Sequence, residues 1–220
     1  MLVKVPGDVV RTCFHHALSS EQEEVMGMLF GQKTLGLDGI VIEIHSLRIV
    51  PRLDKRKDRV EISDDQMVKT LQEAEEQKLQ IVGWYHSHPN ITVWPSHVDL
   101  RTQFNYQRMD KLFVGLIFSV FCAEKEKHTH SYQMIAFQAV EDENNQLVQK
   151  LIEIETISTD DKLSKNVGEE MVRLSDIICQ ENLDLSARNS SSKYDALSSM
   201  RRDFGESKIS YLHNSSLKVS

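Results

Sequence analysis

The run Gln80-Ile81-Val82-Gly83-Trp84-Tyr85 leads without a break into His86-Ser87-His88-Pro89, and this junction constrains the fold more than any other stretch of the chain. Its apolar, β-branched and aromatic residues predict a buried strand. On a strand, residues two apart share a face, so His86 and His88 point the same way, with Cα atoms about 6–7 Å apart at about 3.3 Å rise per residue. Pro89 stops the strand. Two imidazoles on one face of a strand end suit convergence on a single metal ion, and the remaining ligands must then come from another element.

Ser96-His97-Val98-Asp99 supplies that element. Val98, Leu100, Phe104 and Met109 give the following segment an apolar pattern, which predicts a helix with Ser96 at its N-cap. A serine and a carboxylate three apart form a capping box, and that alone accounts for both residues. Beside the two histidines, Asp99 in the first helical turn is also placed to lean back over the strand end. Two imidazoles and one carboxylate would hold a metal and leave a fourth position for water. Zinc hydrolases use such a set, and so do non-haem iron oxygenases.

Spacing by itself does not decide the matter. His128 and His130 are also two apart, and Glu141 lies eleven residues beyond the second, as Asp99 lies eleven beyond His88. The charged run Glu124-Lys125-Glu126-Lys127 leads into this second pair, and apolar runs 113–121 and 132–140 flank it, so it reads as a polar hairpin loop.

With 26 basic and 33 acidic residues, the formal charge of −7 argues against a general nucleic-acid binder. The exception is the basic run Lys55-Arg56-Lys57-Asp58-Arg59, expected as a solvated loop, with a partner-binding or nuclear-targeting role as the weaker reading. Cys13, Cys122 and Cys179 are far apart and odd in number, which indicates neither a disulfide framework nor a cysteine zinc site. A reducing compartment is implied, and the chain is expected in the cytoplasm and nucleus. No stretch approaches the roughly 20 apolar residues of a membrane span, so no membrane partner is expected. Asn90-Ile91-Thr92 has the form of a glycosylation sequon, but beside the histidines it reads as chance.

Helix is predicted over 8–18, a buried strand over 25–31, a turn over 34–39 and a second strand over 40–50, the two strands forming a hairpin. Ser63-Asp64-Asp65-Gln66 is a second capping-box signature, ahead of a helix carrying Met67, Leu71 and Ala74. Ile152 and Ile154 alternate with Glu153 and Glu155, giving an edge strand over 148–157, and a further helix is expected over 167–179. The fold class is α/β (α+β), a mixed central sheet flanked by helices, with the metal site at a strand end beside a helix N-terminus. Residues 1–180 are expected to form the catalytic domain. Ser190-Ser191-Ser192 and Ser198-Ser199 dilute any period beyond that, so 181–220 is expected as a flexible or weakly packed segment.

His-x-His, ten residues, then Asp, with serine three before the Asp, resembles the signature of the JAMM metalloproteases, the catalytic branch of the MPN domain. Residues 82–89 and 91–99 extend the likeness, as do Asp54 to Ser63 and Glu23-Glu24-Val25-Met26-Gly27, so that residues 1–140 match well and the remainder poorly. Within the family the chain is most similar to the lysine-63-specific deubiquitinases. The resemblance implies an MPN fold, one Zn2+ held by His86, His88 and Asp99, and hydrolysis of lysine-63-linked ubiquitin chains. It selects Glu24 over Glu21 and Glu23 as the general base, where the residues alone show only an acid before a buried strand. It also implies that the Ser96 hydroxyl serves catalysis, as a donor to the oxyanion, in competition with its capping role. An MPN-type pseudoenzyme scaffold within a larger assembly is the implied partner. Members continue into long C-terminal helices, and relative to these the chain is shortened at Ser220, which weakens the expectation of coiled-coil pairing.

The apolar loop Ile91 to Pro95 is unusual for a surface: either the loop packs onto the neighbouring helix, or Trp94 lines a groove for ubiquitin's extended tail, recognised by strand addition. Two rival functions stay open: a silent MPN scaffold, against which every ligand plus Glu24 and Ser96 is present, and an iron oxygenase.

Overall fold

The computed structural model describes residues 1–37, 39–51, 62, 64–124, 129–158, 166–181 and 183. Chain contacts divide the protein into Met1–Asp176 and Ile177–Ser220. The basic run 55–59, Ser63 of the second capping box, His128 and nearly all of the C-terminal segment lie outside the described residues.

Among the described residues, seven strands and three helices follow in the order β1 (Leu2–Pro6), α1 (Gly7–Leu18), β2 (Met26–Gly36), β3 (Gly39–Val50), α2 (Asp64–Glu76), β4 (Gln80–Pro89), α3 (His97–Met109), β5 (Val114–Glu124), β6 (Thr129–Glu141) and β7 (Leu147–Ile157). Residues 166–181 form a further helix, α4. Among the described residues, no helix is long and apolar enough to cross a membrane. The sheet is mixed, as expected, and it closes on itself in the order β1-β3-β2-β4-β5-β6-β7. Parallel pairs join β4 to β5 and β1 to both β3 and β7, and the other neighbours are antiparallel.

The closure corrects the reading of 148–157 as an edge strand. β7 is hydrogen-bonded on both sides, to β6 and to β1. Its Glu153 and Glu155 pair in register with Leu2 and Lys4, so the alternation marked a strand facing water on one side rather than a strand without a neighbour. β1 itself has no counterpart in the sequence reading. The predicted turn over 34–39 is also shorter, because β2 runs on to Gly36 and β3 begins at Gly39.

One core cluster lies around β4. Trp84 is buried with Met26, Met28, Phe30, Leu100, Ile117 and Phe137. Gly27 is fixed by this packing, because a Cβ there would sit 2.3 Å from the Tyr85 ring and 2.5 Å from the Arg48 carbonyl oxygen. Tyr85 in turn reaches His16 of α1 through a 2.9 Å hydrogen bond. The helix α3 is where predicted, and of its apolar residues Leu100 and Phe104 pack into the core. Val98 and Met109 are exposed, and the buried positions are Asp99, Leu100 and Gln103. On α4, Glu170 is buried and ties that helix to β3 by accepting from Arg48 and from the Ile49 amide.

Candidate metal centre

The end of β4 and the first turn of α3 bring three ligand groups together. Met26 pairs with His86 at the last rung of the β2–β4 ladder, and β5 flanks the other side of β4 through Pro89, so both histidines sit on a strand held at both edges. His86, His88 and Asp99 are all buried, and each offers one ligand atom to a common space. His86 Nε2 lies 3.1 Å from His88 Nε2, and the two imidazole nitrogens lie 3.3 and 3.4 Å from Asp99 Oδ1 and Oδ2.

Surrounding groups orient each ligand. His88 Nδ1 is 2.7 Å from the Thr92 carbonyl oxygen. A carbonyl only accepts, so Nδ1 carries the proton and a neutral His88 presents the Nε2 lone pair to the shared space. The His86 ring stacks on Trp84, with centroids 4.6 Å apart and planes at 16°. Trp84 is held in turn, its indole N–H donating to Gln103 Oε1 at 2.7 Å, while Gln103 Nε2 donates to the Phe113 carbonyl at 2.8 Å. His86 Nδ1 is buried and has no hydrogen-bond partner.

The capping box is present in full. The Ser96 amide donates to Asp99 Oδ2 at 2.6 Å, and the Asp99 amide donates to Ser96 Oγ at 3.2 Å. Cap and ligand are therefore the same carboxylate at the same time. A carboxylate has about four lone-pair sites, and the cap occupies one of them. The backbone of the first helical turn thereby aims the Asp99 carboxylate at the two imidazoles.

The electrostatics fit a cation. Burial opposes charge on His88, but its hydrogen bonds to Asp99 and Thr92, with the charges of Asp99 and Glu24, outweigh burial and raise its proton affinity above that of an ordinary imidazole. Burial likewise opposes charge on Asp99, and the bonds from His86, His88 and Ser96 overcome it, holding the carboxyl well below the usual carboxylate range. Two imidazole nitrogens facing each other beside an ionised carboxylate form a site that favours positive charge, whether a proton or a metal ion.

Glu24 lies in the segment before β2, half-buried, and its charge acts on His88. Ser96 is exposed at the α3 N-cap. Trp94 is 51% exposed, whereas the neighbouring Val93 is 6% exposed and joins the core. The loop thus packs into the core through Val93, in the same cluster as Leu100 of α3, and leaves Trp94 half exposed. The second histidine pair falls at the β5–β6 hairpin, whose loop 125–128 lies outside the described residues.

Thr92 and Gln103 were not identified from sequence. Thr92 acts through its backbone carbonyl, which every residue type possesses. Gln103 does carry a signal in the sequence, as a polar residue three positions after Leu100 on the apolar face of α3.

Sequence comparison agrees with this arrangement. The family profile described as JAB1/Mov34/MPN/PAD-1 ubiquitin protease matches residues 2–111, and the chain belongs to that family, a metal-dependent one. Among its relatives, the Lys-63-specific deubiquitinase BRCC36 of Camponotus floridanus is 44% identical over 190 residues, covering 84% of this chain and 71% of that protein. The protein of the same name from Xenopus tropicalis is 42% identical over 192 residues, covering 84% and 72%. That from Mus musculus is 39% identical over 213 residues, covering 84% and 73%.

Proposed function

We infer that the chain is a zinc-dependent isopeptidase that cleaves lysine-63-linked ubiquitin chains, with Glu24 as general base. The observation that carries the reading is the convergence of two imidazole nitrogens, 3.1 Å apart, on the Asp99 carboxylate, whose Oδ1 lies 3.3 Å from His86 Nε2 and whose Oδ2 lies 3.4 Å from His88 Nε2. A tetrahedral ion with ligand bonds of about 2.0–2.1 Å sets its ligand atoms roughly 3.3–3.4 Å apart, which is the size of zinc; calcium, at about 2.3–2.6 Å and with six to eight oxygen ligands, needs a wider cage. The linkage preference comes from the relatives, which bear the name Lys-63-specific deubiquitinase.

When bound, zinc supplies a Lewis acid that lowers the pKa of a coordinated water toward about 7. The chain's own residues do the rest. His86, His88 and Asp99 would hold the ion. Glu24 accepts the water's proton on its carboxylate and returns it to the leaving lysine Nζ. Ser96 Oγ donates to the isopeptide carbonyl oxygen as charge develops there. The Ser96 amide keeps its hydrogen bond to Asp99 Oδ2, which holds the carboxylate in place against the first turn of α3. An MPN-type scaffold subunit, itself without activity, is the partner expected to support full activity.

The test is cleavage of lysine-63-linked diubiquitin by the chain with and without an MPN-type subunit, beside metal analysis. One zinc per chain is expected, and Glu24→Ala is expected to lose on the order of 100- to 10,000-fold in rate while keeping its zinc. Equal cleavage by wild type, Glu24→Ala and chelated protein overturns the mechanism, and iron in place of zinc with oxygen uptake overturns the reaction class.

A further inference from the structure

We propose that Ser87, the residue between the two histidines, is a positioning residue that fixes the general base Glu24 over the metal centre, with Asn90 anchoring the other end of the same segment. The proposal rests on the assignment of Glu24 as base. Glu24 belongs to no helix or strand; residues 19–25 connect α1 to β2 as turns and bends. A base on such a connection needs an external reference to hold hydrogen-bond reach of about 2.6–3.2 Å to its proton.

The reference is β4 itself. The Val25 amide donates to Ser87 Oγ at 2.9 Å, and the Ser87 amide donates to the Val25 carbonyl at 2.9 Å. The regular β2–β4 ladder ends one residue earlier, at Met26 and His86. At the next position the serine hydroxyl accepts where a backbone carbonyl would in a continuing ladder. Ser87 is completely buried, and its own strand is held on the other side by β5, where it pairs with Phe118. Asn90, one residue past the end of β4, adopts φ 60°, and its side-chain amide donates to the Glu21 carbonyl at 3.1 Å. Its backbone N–H is anchored on the Val120 carbonyl at 2.9 Å. Residues 21 and 25 are therefore pinned by the strand that carries His86 and His88, and Glu24 sits between the pins. Alternation along the strand turns the two histidines to one face and leaves Ser87 the opposite one, so ligation and positioning are divided among three successive residues.

The experiment compares the full chain with Ser87→Ala, Ser87→Thr, Asn90→Ala and Glu24→Ala, reading zinc per chain and the separate kcat and KM for lysine-63-linked diubiquitin. Ser87→Ala is expected to keep one zinc and an unchanged KM while kcat falls on the order of 10- to 100-fold, the scale of a base displaced by about 1 Å. Ser87→Thr, which keeps the hydroxyl, is expected to recover kcat to within a few-fold, and Asn90→Ala to lower kcat by a few-fold at unchanged KM. Wild-type kcat in Ser87→Ala, or loss of zinc in place of kcat, or no recovery in Ser87→Thr, overturns the proposal. If Ser87→Ala does not fold, Asn90→Ala decides the matter, with an unchanged kcat counting against it. Undiminished activity in Glu24→Ala marks a different failure, that of the base assignment itself.

Discussion

At Ser96, the observed cap and the proposed donor role would use different parts of one oxygen atom. The helix cap takes the lone pair, since the Asp99 amide donates to Oγ. Accepting that bond does not use the hydroxyl proton, which can still be donated. Sequence alone set capping against catalysis, whereas a hydroxyl that accepts at a cap can still donate its proton. Ser96→Ala is expected to lose about 0.5–2 kcal/mol from the missing cap, whereas glycine at an N-cap costs only a few tenths. Both variants lose the donor, so both are expected to fall on the order of 100- to 1000-fold in kcat. Thermal melts beside kinetics separate the effects, and Ser96→Gly with wild-type kcat would remove the donor role. Trp94 is a second residue whose roles part cleanly. An exposed side chain contributes within about 0.5 kcal/mol to stability, or about 1–2 °C in Tm for a domain of this size. Trp94→Ala is therefore expected to melt like wild type while KM for diubiquitin rises about 10-fold, the scale of an interface tryptophan. An unchanged KM would end its assignment to the substrate groove. Side-chain chemistry of this kind was legible in the sequence because His86, His88 and Asp99 announce themselves by residue type. The Thr92 carbonyl that orients His88 was not, since nothing in a side chain reports where a backbone carbonyl points.

At the scale of elements, β4 and α3 are joined by an ion cluster whose proton content sets a pH dependence. In the metal-free protein, Asp99 is depressed and His88 raised in pKa. The Asp99 contribution to stability is present above its unfolded value of about 3.9 and is lost as pH falls through the lower folded value; the His88 contribution is complete below about 6.5 and is lost as pH rises through the higher folded value. The metal-free wild type is thus expected to exceed Asp99→Asn in Tm most between about pH 4 and 6.5, with the gap narrowing toward pH 9. Zinc reverses the alkaline limb, because ligation must displace the His88 proton, so the zinc-induced rise in Tm is expected to be larger at pH 8 than at pH 6. Differential scanning of both proteins with and without zinc checks this, and a gap that widens above pH 7 in the metal-free pair would contradict it. Sequence patterning found these elements because each is long and periodic, and it found the N-cap of α3 from two residues. It found Leu100 and Phe104 on the buried face of α3 but not Gln103, which satisfies its amide against Trp84, Phe113 and Gln107 and so passes into the core as a polar residue. Hydrogen-bond partners brought from other elements are invisible to a periodicity.

The closed sheet is the property of the whole molecule that the sequence showed least. Met1 to Pro6 is short, contains a proline, and pairs with residues about 40 and 150 positions away, so neither local propensity nor a turn signal marks it. Yet Val3 and Val5 are fully buried, and β1 joins β3 to β7 on parallel ladders. Following the strand order, β1 is three strands from β4 through β3 and β2, and four through β7, β6 and β5. Stability and catalysis are therefore separable along this ring. Removing residues 1–6 uncovers two strand edges and withdraws two buried valines, each contributing about 1.5–3 kcal/mol. At about 2–4 °C per kcal/mol for a domain of this size, Tm is expected to fall by roughly 6–24 °C, with aggregation on heating through the exposed edges of β3 and β7. The ligands on β4 and α3 keep all their own hydrogen-bond partners in the shortened chain, so one zinc per chain and a kcat within a few-fold of wild type are expected well below the new Tm. Scattering on heating, metal content and low-temperature kinetics read the three quantities independently. An unaltered Tm would show that the sheet does not depend on β1 for closure, and zinc loss at a temperature where the fold is intact would show that the metal centre senses the closing strand across the barrel.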